Sequence, residues 1–479
     1  MTEPAWTNVP IKTSATGFSK DLRRPNWKSA VSVDADPNTC SFTMSDLTEA
    51  NDVQDKENAE GKMSESFEPD RVCVVLNGNG KLGSVYSEVA RALARRGGWK
   101  RKKKSTGRFH MVFGEAGGAG IPFKRFSQVF RYDYGIKPLV NYNRNCKTLT
   151  DKVMLAQIMQ KYQRENLGED TGMLIPETYL FWPGREEVSQ TSLFKKAFEK
   201  RSGANVWIVK PSNEAHGNGI FLSSSINEIL DHISNQPDGS RPWLVQRYVE
   251  DPLLLDGGRK FDVRVWVLLT HDFKVFIHKD GVVRTSCVRF TMQDLRDKFV
   301  HMTNHSIQGD HADFGKFEDG NEIFFPAFES TLIDNSGISF HKTILPQIKN
   351  HVKETFIAAK PILESIDEID DYSSFMLFGF DFIINSSAKV LLLEVNATPA
   401  IAKNLLPKIS TDIIKTAIDP VFPRLQVDSK EADSDFELLY ESKGKCEFIC
   451  NMPGPDASED VEIESFGLDC GESQACSKK

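Results

Sequence analysis

No apolar run in this 479-residue chain approaches the roughly 18 residues that a membrane-spanning helix needs. The opening MTEPAWTNVP has no secretory pattern, so a cytoplasmic protein is the expectation. Cysteine is sparse. The eight thiols (Cys40, Cys73, Cys146, Cys287, Cys446, Cys450, Cys470 and Cys476) form no CxxC pair and are too sparse for a disulfide scaffold, so reduced thiols are the expectation; metal binding by the last four is a minor alternative, since their spacings match no common zinc template. No Ser-His or Cys-His constellation is legible, and no glycine loop has the GxxxxGK[ST] order of a P-loop. What remains is ordinary for a globular protein: 40% apolar and 26% charged residues, in a chain long enough for two to four units.

Charge is short in the middle of one sign. Residues 1–70 carry 13 acids against 7 bases and residues 428–479 carry 14 against 5, so the body between them is net +7 although the whole chain is −8. A basic body between acidic ends points to an acidic partner: nucleic acid, a nucleotide or an acidic polypeptide. The polar stretches 1–70 and 426–479 read as disordered.

The folded part begins at Arg71, where VCVVLN reads as a buried strand and SVYSEVARALARR as a helix stopped by Gly97-Gly98. Between them GNGKLG matches the GxGxxG spacing of a dinucleotide site, but the acidic residue expected about 20 positions on is replaced by WKRKKKSTG, a run that could instead meet the phosphate of NADP; a lone glycine fingerprint is weak, and a plain turn is the favoured reading. The run Arg101–Lys104 is a solvated loop or a binding patch. A helix is expected over TLTDKVMLAQIMQKYQ, with Lys152 in its first turn, against the helix dipole unless it faces a phosphate. NVWIVKPSNEAHGNGIFLSSS gives two strands around a loop with Gly217 and Gly219; with Lys210 closing the first strand, it suits either a polyphosphate cover or a bland hairpin. In WLVQRYVED, extended backbone at Gln246–Val249 offers free amide and carbonyl groups to an adenine edge.

RKFDVRVWVLLT is an alternating strand with Lys260, Asp262, Arg264 and Trp266 on one face and Phe261, Val263, Val265 and Val267 on the other. One face is core, and the other is chemistry or solvent. KVFIH and DGVVRTS follow, the latter adding Arg284, and VHMTNHSIQ places Thr303, Asn304 and His305 together. FGFDFII and VLLLEV, joined by Asn-Ser-Ser-Ala, read as a hairpin inside a larger sheet. Alternation brings Asp381, Glu394 and Asn396 to one face, a donor set suited to a hard divalent cation unless the acids simply reach solvent at the sheet edge.

RKFDVRVW, HMTNHSIQ, FGFDF and LLEVNATPA resemble, in order and spacing, the signatures of the ATP-grasp ligases of the tubulin-tyrosine-ligase family. VYSEVARALARRGGWKR, FHMVFGE, IPFKRF and LVNYNRNCKTL resemble the tubulin-binding domain of the family's tyrosine-adding member. The resemblance runs from about Arg71 to Phe422, and the loop departs from it at Pro211 and Asn213.

The resemblance implies an α/β fold of three parts: an amino-terminal tubulin-binding domain (71–149), a central domain (150–258) and a carboxy-terminal domain (259–425). It implies ATP and Mg²⁺ as cofactors, and the α/β-tubulin dimer and free tyrosine as partners, with no nucleic acid, no membrane and a monomeric enzyme. Lys152 and Lys210 would hold ATP phosphates, Gln246, Tyr248 and Val249 the adenine, and Lys260 and Asp262 the rest of the nucleotide. Arg264 and Arg284 would hold an acyl phosphate, Thr303 and Asn304 would flank the γ-phosphate and incoming amine, and Asp381, Glu394 and Asn396 would bind Mg²⁺. The implied reaction adds tyrosine to the terminal glutamate of the α-tubulin tail. A glutamate- or glycine-adding member of the family and a non-catalytic tubulin binder are the alternatives. DSDFELLYES resembles an acidic tubulin tail, so the 428–479 stretch either competes for the same cleft or touches nothing.

Overall fold

A computed structural model describes residues 71–75, 84–102, 109–114, 121, 137–166, 173–201, 203–212, 214, 217–237, 239–364, 372–423 and 433–442. Residues 1–70, the GNGKLG segment, Lys103, Lys104 and Asn213 lie outside the described residues, together with the expectations made on them.

The apolar run after Arg71 is strand β1 (Arg71–Val75), and it feeds the helix Ser84–Arg96. That helix ends as the composition demands, at Gly97 and Gly98 with φ of 86° and 71°, a left-handed turn that glycine adopts at no steric cost. β1 lies parallel to β2 (Trp99–Lys102) and β3 (Met111–Phe113), and β3 lies parallel to β4 (Leu139–Val140). A fifth parallel strand, Ser373–Ser374, arrives from far down the chain. The helix buries Tyr86, Val89 and Leu93, and the Tyr86 hydroxyl donates to Asn141 O at 3.4 Å while accepting from Leu377 N at 3.2 Å. Arg101 and Lys102 are exposed on β2, an edge strand.

The helix expected over 148–163 is interrupted. A short turn, Lys147–Thr150, gives way at Asp151, which is extended (φ −86°, ψ 126°), and a second helix runs over Lys152–Asn166. The Asp151 carboxylate accepts from Val153 N (2.9 Å) and Met154 N (3.1 Å), capping the new helix and placing Lys152 at its start.

The second sheet is antiparallel, in the order β5 (Thr178–Phe181), β8 (Trp243–Arg247), β6 (Trp207–Pro211), β7 (Phe221–Ser223). Helices Thr191–Glu199 and Ile226–Ser234 cover one face, with Phe194, Ile229 and Ile233 packed on Trp207, Val209, Trp243 and Val245. Alternation therefore sends Ile208, Lys210, Leu244 and Gln246 to the other face.

The third sheet has β10 (Arg259–Leu269) at its centre, after the short β9 (Leu254–Leu255). KVFIH and DGVVRTS form one strand, β11 (Lys274–Arg289), and β12 (Glu322–Phe324) pairs with its second half. With Ser373–Ser374 as β13, the expected hairpin follows as β14 (Met376–Ile384) and β15 (Val390–Asn396), giving the order β12-β11-β10-β14-β15. Phe328 and Phe356, from helices Phe325–Ser336 and Leu345–Leu363, pack against Phe261, Phe378 and Phe380 on one face.

The fold is α/β, as expected, and three details differ. β10 is buried along its whole length, so its charged face meets other residues instead of solvent, and Trp266 is an interior side chain whose indole donates to Ala400 O at 3.2 Å. β15 is the last strand of its sheet, which leaves Glu394 half-buried while Asp381 on β14 is fully buried. The expectation of disorder throughout 426–479 fails at β16 (Phe436–Glu441), which pairs antiparallel with Lys274–His278 of β11. Phe436 is buried against the His278 ring, Glu437 reaches Lys349 at 2.7 Å, and Asp435 pairs with Lys279 (3.2 Å) and Lys408. The DSDFELLYES segment is thus seated on a sheet edge, and the idea that it competes for a tubulin-binding cleft loses its free ligand.

Candidate active site

Strand register assembles a row of charges across the third sheet. Glu322 of β12 stands opposite Arg284 of β11, Arg284 opposite Asp262 of β10, Arg264 opposite Asp381 of β14, and Asp381 opposite Glu394 of β15. Directly opposed residues on one face come within about 4.5–5.5 Å at Cβ, so the row is close-coupled. Arg264 clasps Asp381 through Nε and through Nη2 (2.6 Å). Arg284 bridges two acids, at 2.6 Å to Asp262 and 2.9 Å to Asp381. Gly379 leaves room for this packing: a Cβ there would lie 2.6 Å from Pro399 and 3.1 Å from the Arg264 side chain.

These contacts set the protonation of the row. Burial works to raise the Asp381 carboxyl, but Arg264 and then Arg284 outweigh it and hold the group at about 2. For Asp262 burial wins, and its pKa is raised despite Arg284 and a hydrogen bond from Thr303 Oγ1. Arg284 is raised in turn, since the charges of Asp262 and Asp381 overcome its desolvation.

Asn396 donates to Asp381 at 3.2 Å and to Glu394 at 3.3 Å, so the three expected metal ligands do converge. The described residues hold no group of three or more His, Cys, Asp or Glu suited to a metal; two carboxylates and an amide oxygen are a smaller donor set, compatible with Mg²⁺, an ion that takes few protein ligands and keeps water and phosphate oxygens.

The facing elements supply lysines. Lys152 approaches Glu394 at 3.4 Å and donates to Glu214 O at 2.8 Å. Lys210 donates to Gln246 Oε1 at 2.7 Å, and Gln246 is anchored by Thr178 at 3.0 Å. Burial lowers Lys210 to about 8, with Lys152 adding to the effect and Glu394 opposing it. A small pocket beside these groups is lined by Ile175, Leu244 and Leu393 together with Lys152, Lys210 and Gln246, apolar walls with a cationic end.

Lys260 belongs to a separate buried knot. It donates to Tyr248 Oη at 3.0 Å and to His301 O at 2.7 Å, and the Tyr248 hydroxyl lies 2.9 Å from His301 Nδ1. Burial lowers Lys260 to about 7 against the pull of Asp262.

Two expectations need correction. The backbone at Gln246–Val249 is largely engaged, since Gln246 sits in the ladder and the amides of Arg247 and Tyr248 donate to Glu177 O and Val206 O; Val249 lies beyond these contacts. Thr303 turns to Asp262, whereas Asn304 is half-buried and His305 is exposed beside Phe314, so the three do not act as one cluster. Sequence reasoning missed His301 and Glu322. Neither sits in an alternating pattern, and the only signal for Glu322 was its place after the Gly320-Asn321 turn at the start of a strand.

Two α/β layers that offer lysines and a row of arginines and acids to a shared cleft make the ATP-grasp arrangement. The chain belongs to the tubulin-tyrosine ligase family, whose model matches residues 134–431, more than half its length. It is 32% identical over 234 residues to tubulin glycylase 3D of Tetrahymena thermophila, a match covering 46% of this chain and 22% of that protein. It is 28% identical over 368 residues to the probable tubulin polyglutamylase TTLL9 of Mus musculus, covering 69% of this chain and 76% of that one. A probable tubulin polyglutamylase of Caenorhabditis elegans, ttll-9, is 28% identical over 323 residues, covering 66% and 73%. The chain therefore spans only about a fifth of the glycylase but most of the polyglutamylase relatives. The family match begins at 134, outside the segment 71–133 on which most of the tyrosine-specific resemblance rested.

Proposed function

We propose that this chain is an ATP-dependent carboxylate–amine ligase that adds glutamate or glycine to tubulin, built from parts at about 71–149, 150–258 and 259–425. The observation that carries the chemistry is the row Arg284, Asp262, Arg264, Asp381 and Glu394 facing Lys152 and Lys210. The relatives named as glycylase and polyglutamylase favour glutamate or glycine over the tyrosine first expected.

A carboxylate does not condense with an amine in water, so the acceptor carboxylate must first be phosphorylated. Lys152 and Lys210 would neutralise phosphate oxygens, and the guanidinium edges of Arg264 and Arg284 that Asp381 and Asp262 do not take up would meet the transferring phosphoryl group, whose charge fixed cations in a dry cleft stabilise. Asp381, Glu394 and Asn396 would hold Mg²⁺, which supplies further neutralisation of phosphate charge when bound. Asp262 and Asp381 hold the two guanidinium planes in place, so no reorganisation is needed during the reaction. Among the sequence features, the net +7 of the body suits an acidic tubulin tail as acceptor.

The test is direct. Microtubules, ATP and one radiolabelled amino acid at a time are incubated with the protein; label from glutamate or glycine is expected in tubulin. Incorporation of tyrosine alone would reverse the choice of amino acid, and no ATP-dependent incorporation of any of the three would end the ligase reading.

A further inference from the structure

Glu322 is the one acid of the charged row without a commitment. Asp262 is held by Arg284 and Thr303, Asp381 by both arginines, and Glu394 by Lys152 and Asn396. Among the described residues Glu322 has no hydrogen-bond or ion-pair partner, yet it is half-buried at the end of the row, opposite Arg284. Its position is fixed by its neighbour. Asn321 is buried in a left-handed conformation (φ 53°), with its amide donating to Thr285 O at 3.0 Å and accepting from Gly315 N at 2.7 Å. A Cβ on Gly320 would lie 3.9 Å from His305 Nε2, which puts that imidazole over the same turn.

We propose that Glu322 is the catalytic residue that receives the incoming amino acid's ammonium group and takes its proton, so that the amine can attack. This rests on the ligase reading above. An amino acid reaches the site as R–NH₃⁺, which has no lone pair. Two protons leave nitrogen during the transfer: the first passes to the Glu322 carboxylate, freeing the lone pair to form the C–N bond at the acyl carbon. The C–O bond to phosphate then breaks, and the second proton leaves with the departing phosphate. Every other carboxylate in the row would have to abandon a charged or hydrogen-bonding partner to do this.

The electrostatics agree. Burial raises the Glu322 carboxyl, Asp319 adds to that, and His305, Arg284 and Arg264 oppose it, leaving a group above the ordinary glutamate range and better matched to proton transfer near neutrality. The titratable and charged groups acting on it are Arg264 and Arg284 from β10 and β11, Asp319 from the preceding turn and His305. Because the carboxylate is the working form, amine transfer should rise with pH through the raised Glu322 value.

The experiment separates the two halves of the reaction. Hydroxylamine is largely unprotonated at neutral pH and traps an acyl phosphate as a hydroxamate without needing a base. In Glu322→Gln, hydroxamate formation on tubulin is expected to stay within about threefold of the wild type. Transfer of glutamate or glycine should fall by about 100-fold or more, as loss of a general base does, and the acidic limb of the pH profile should vanish. Glu322→Asp should recover part of the transfer. Near-wild-type transfer in Glu322→Gln, or equal loss of hydroxamate and transfer in both variants, would overturn the assignment. A wild-type protein that forms neither product would instead remove the ligase reading, and this inference with it.

Discussion

Lys210 and Lys260 sit in the fold with their ammonium groups desolvated, at about 8 and about 7. A polyphosphate bound beside them, as the proposed function requires, would stabilise the charged form and move both values back toward the ordinary lysine range. Nucleotide binding near pH 8 is therefore expected to take up protons, and affinity should fall as pH rises above neutrality, because the binding-competent ammonium forms are lost. Calorimetric titrations in buffers of different ionisation enthalpy measure the uptake; a value of zero would take both lysines out of the nucleotide site. The charged residues themselves were legible in the sequence because alternation puts Lys260, Asp262 and Arg264 on one face of β10. Their partners were not. Lys260 is satisfied by Tyr248 and His301, 12 and 41 residues away, and a strand pattern has no way to record which distant side chain closes over it.

Most elements announced themselves: β1, β6, β8 and the β14–β15 hairpin are apolar runs bounded by turns, β10 alternates, and the Gly97-Gly98 stop ends its helix where it was expected. β16 did not, because the acidic composition around it outweighs six residues whose burial does not alternate, with Leu438 47% exposed. Its anchoring can be apportioned by substitution. Phe436→Ala empties a buried site and should cost about 3–5 kcal/mol. Glu437→Ala removes only a half-exposed pair with Lys349 and should cost less than about 1 kcal/mol. Denaturation midpoints distinguish them, and equally small effects would mean that β16 is not docked in solution.

The family-matched segment leaves out elements that complete one of its sheets. Residues 134–431 retain β4 and β13 of the first sheet but lose β1, β2, β3 and the helix carrying Tyr86, whose hydroxyl joins Asn141 to Leu377. They also lose Arg96, which pairs with Asp419 at 2.6 Å. A fragment running 134–442, which keeps β16 and lacks only the amino-terminal elements, should therefore melt well below the full chain and be cleaved rapidly by trypsin; an unchanged melting temperature would show that the amino-terminal sheet is dispensable. Amino-acid choice is the whole-molecule property that sequence signatures conveyed least, since the shared motifs are the ones proposed to meet phosphate and metal and say little about the amine. The outer edge of β11 is divided between β12, over residues 282–284, and β16, over 274–278. A chain nicked between 424 and 432 and stripped of β16 would present five residues of bare backbone donors and acceptors, with Val275 and Ile277 among them, as a template for another chain to pair with. Held in place, this acidic segment covers that edge, and its removal by proteolysis during purification is expected to show first as aggregation.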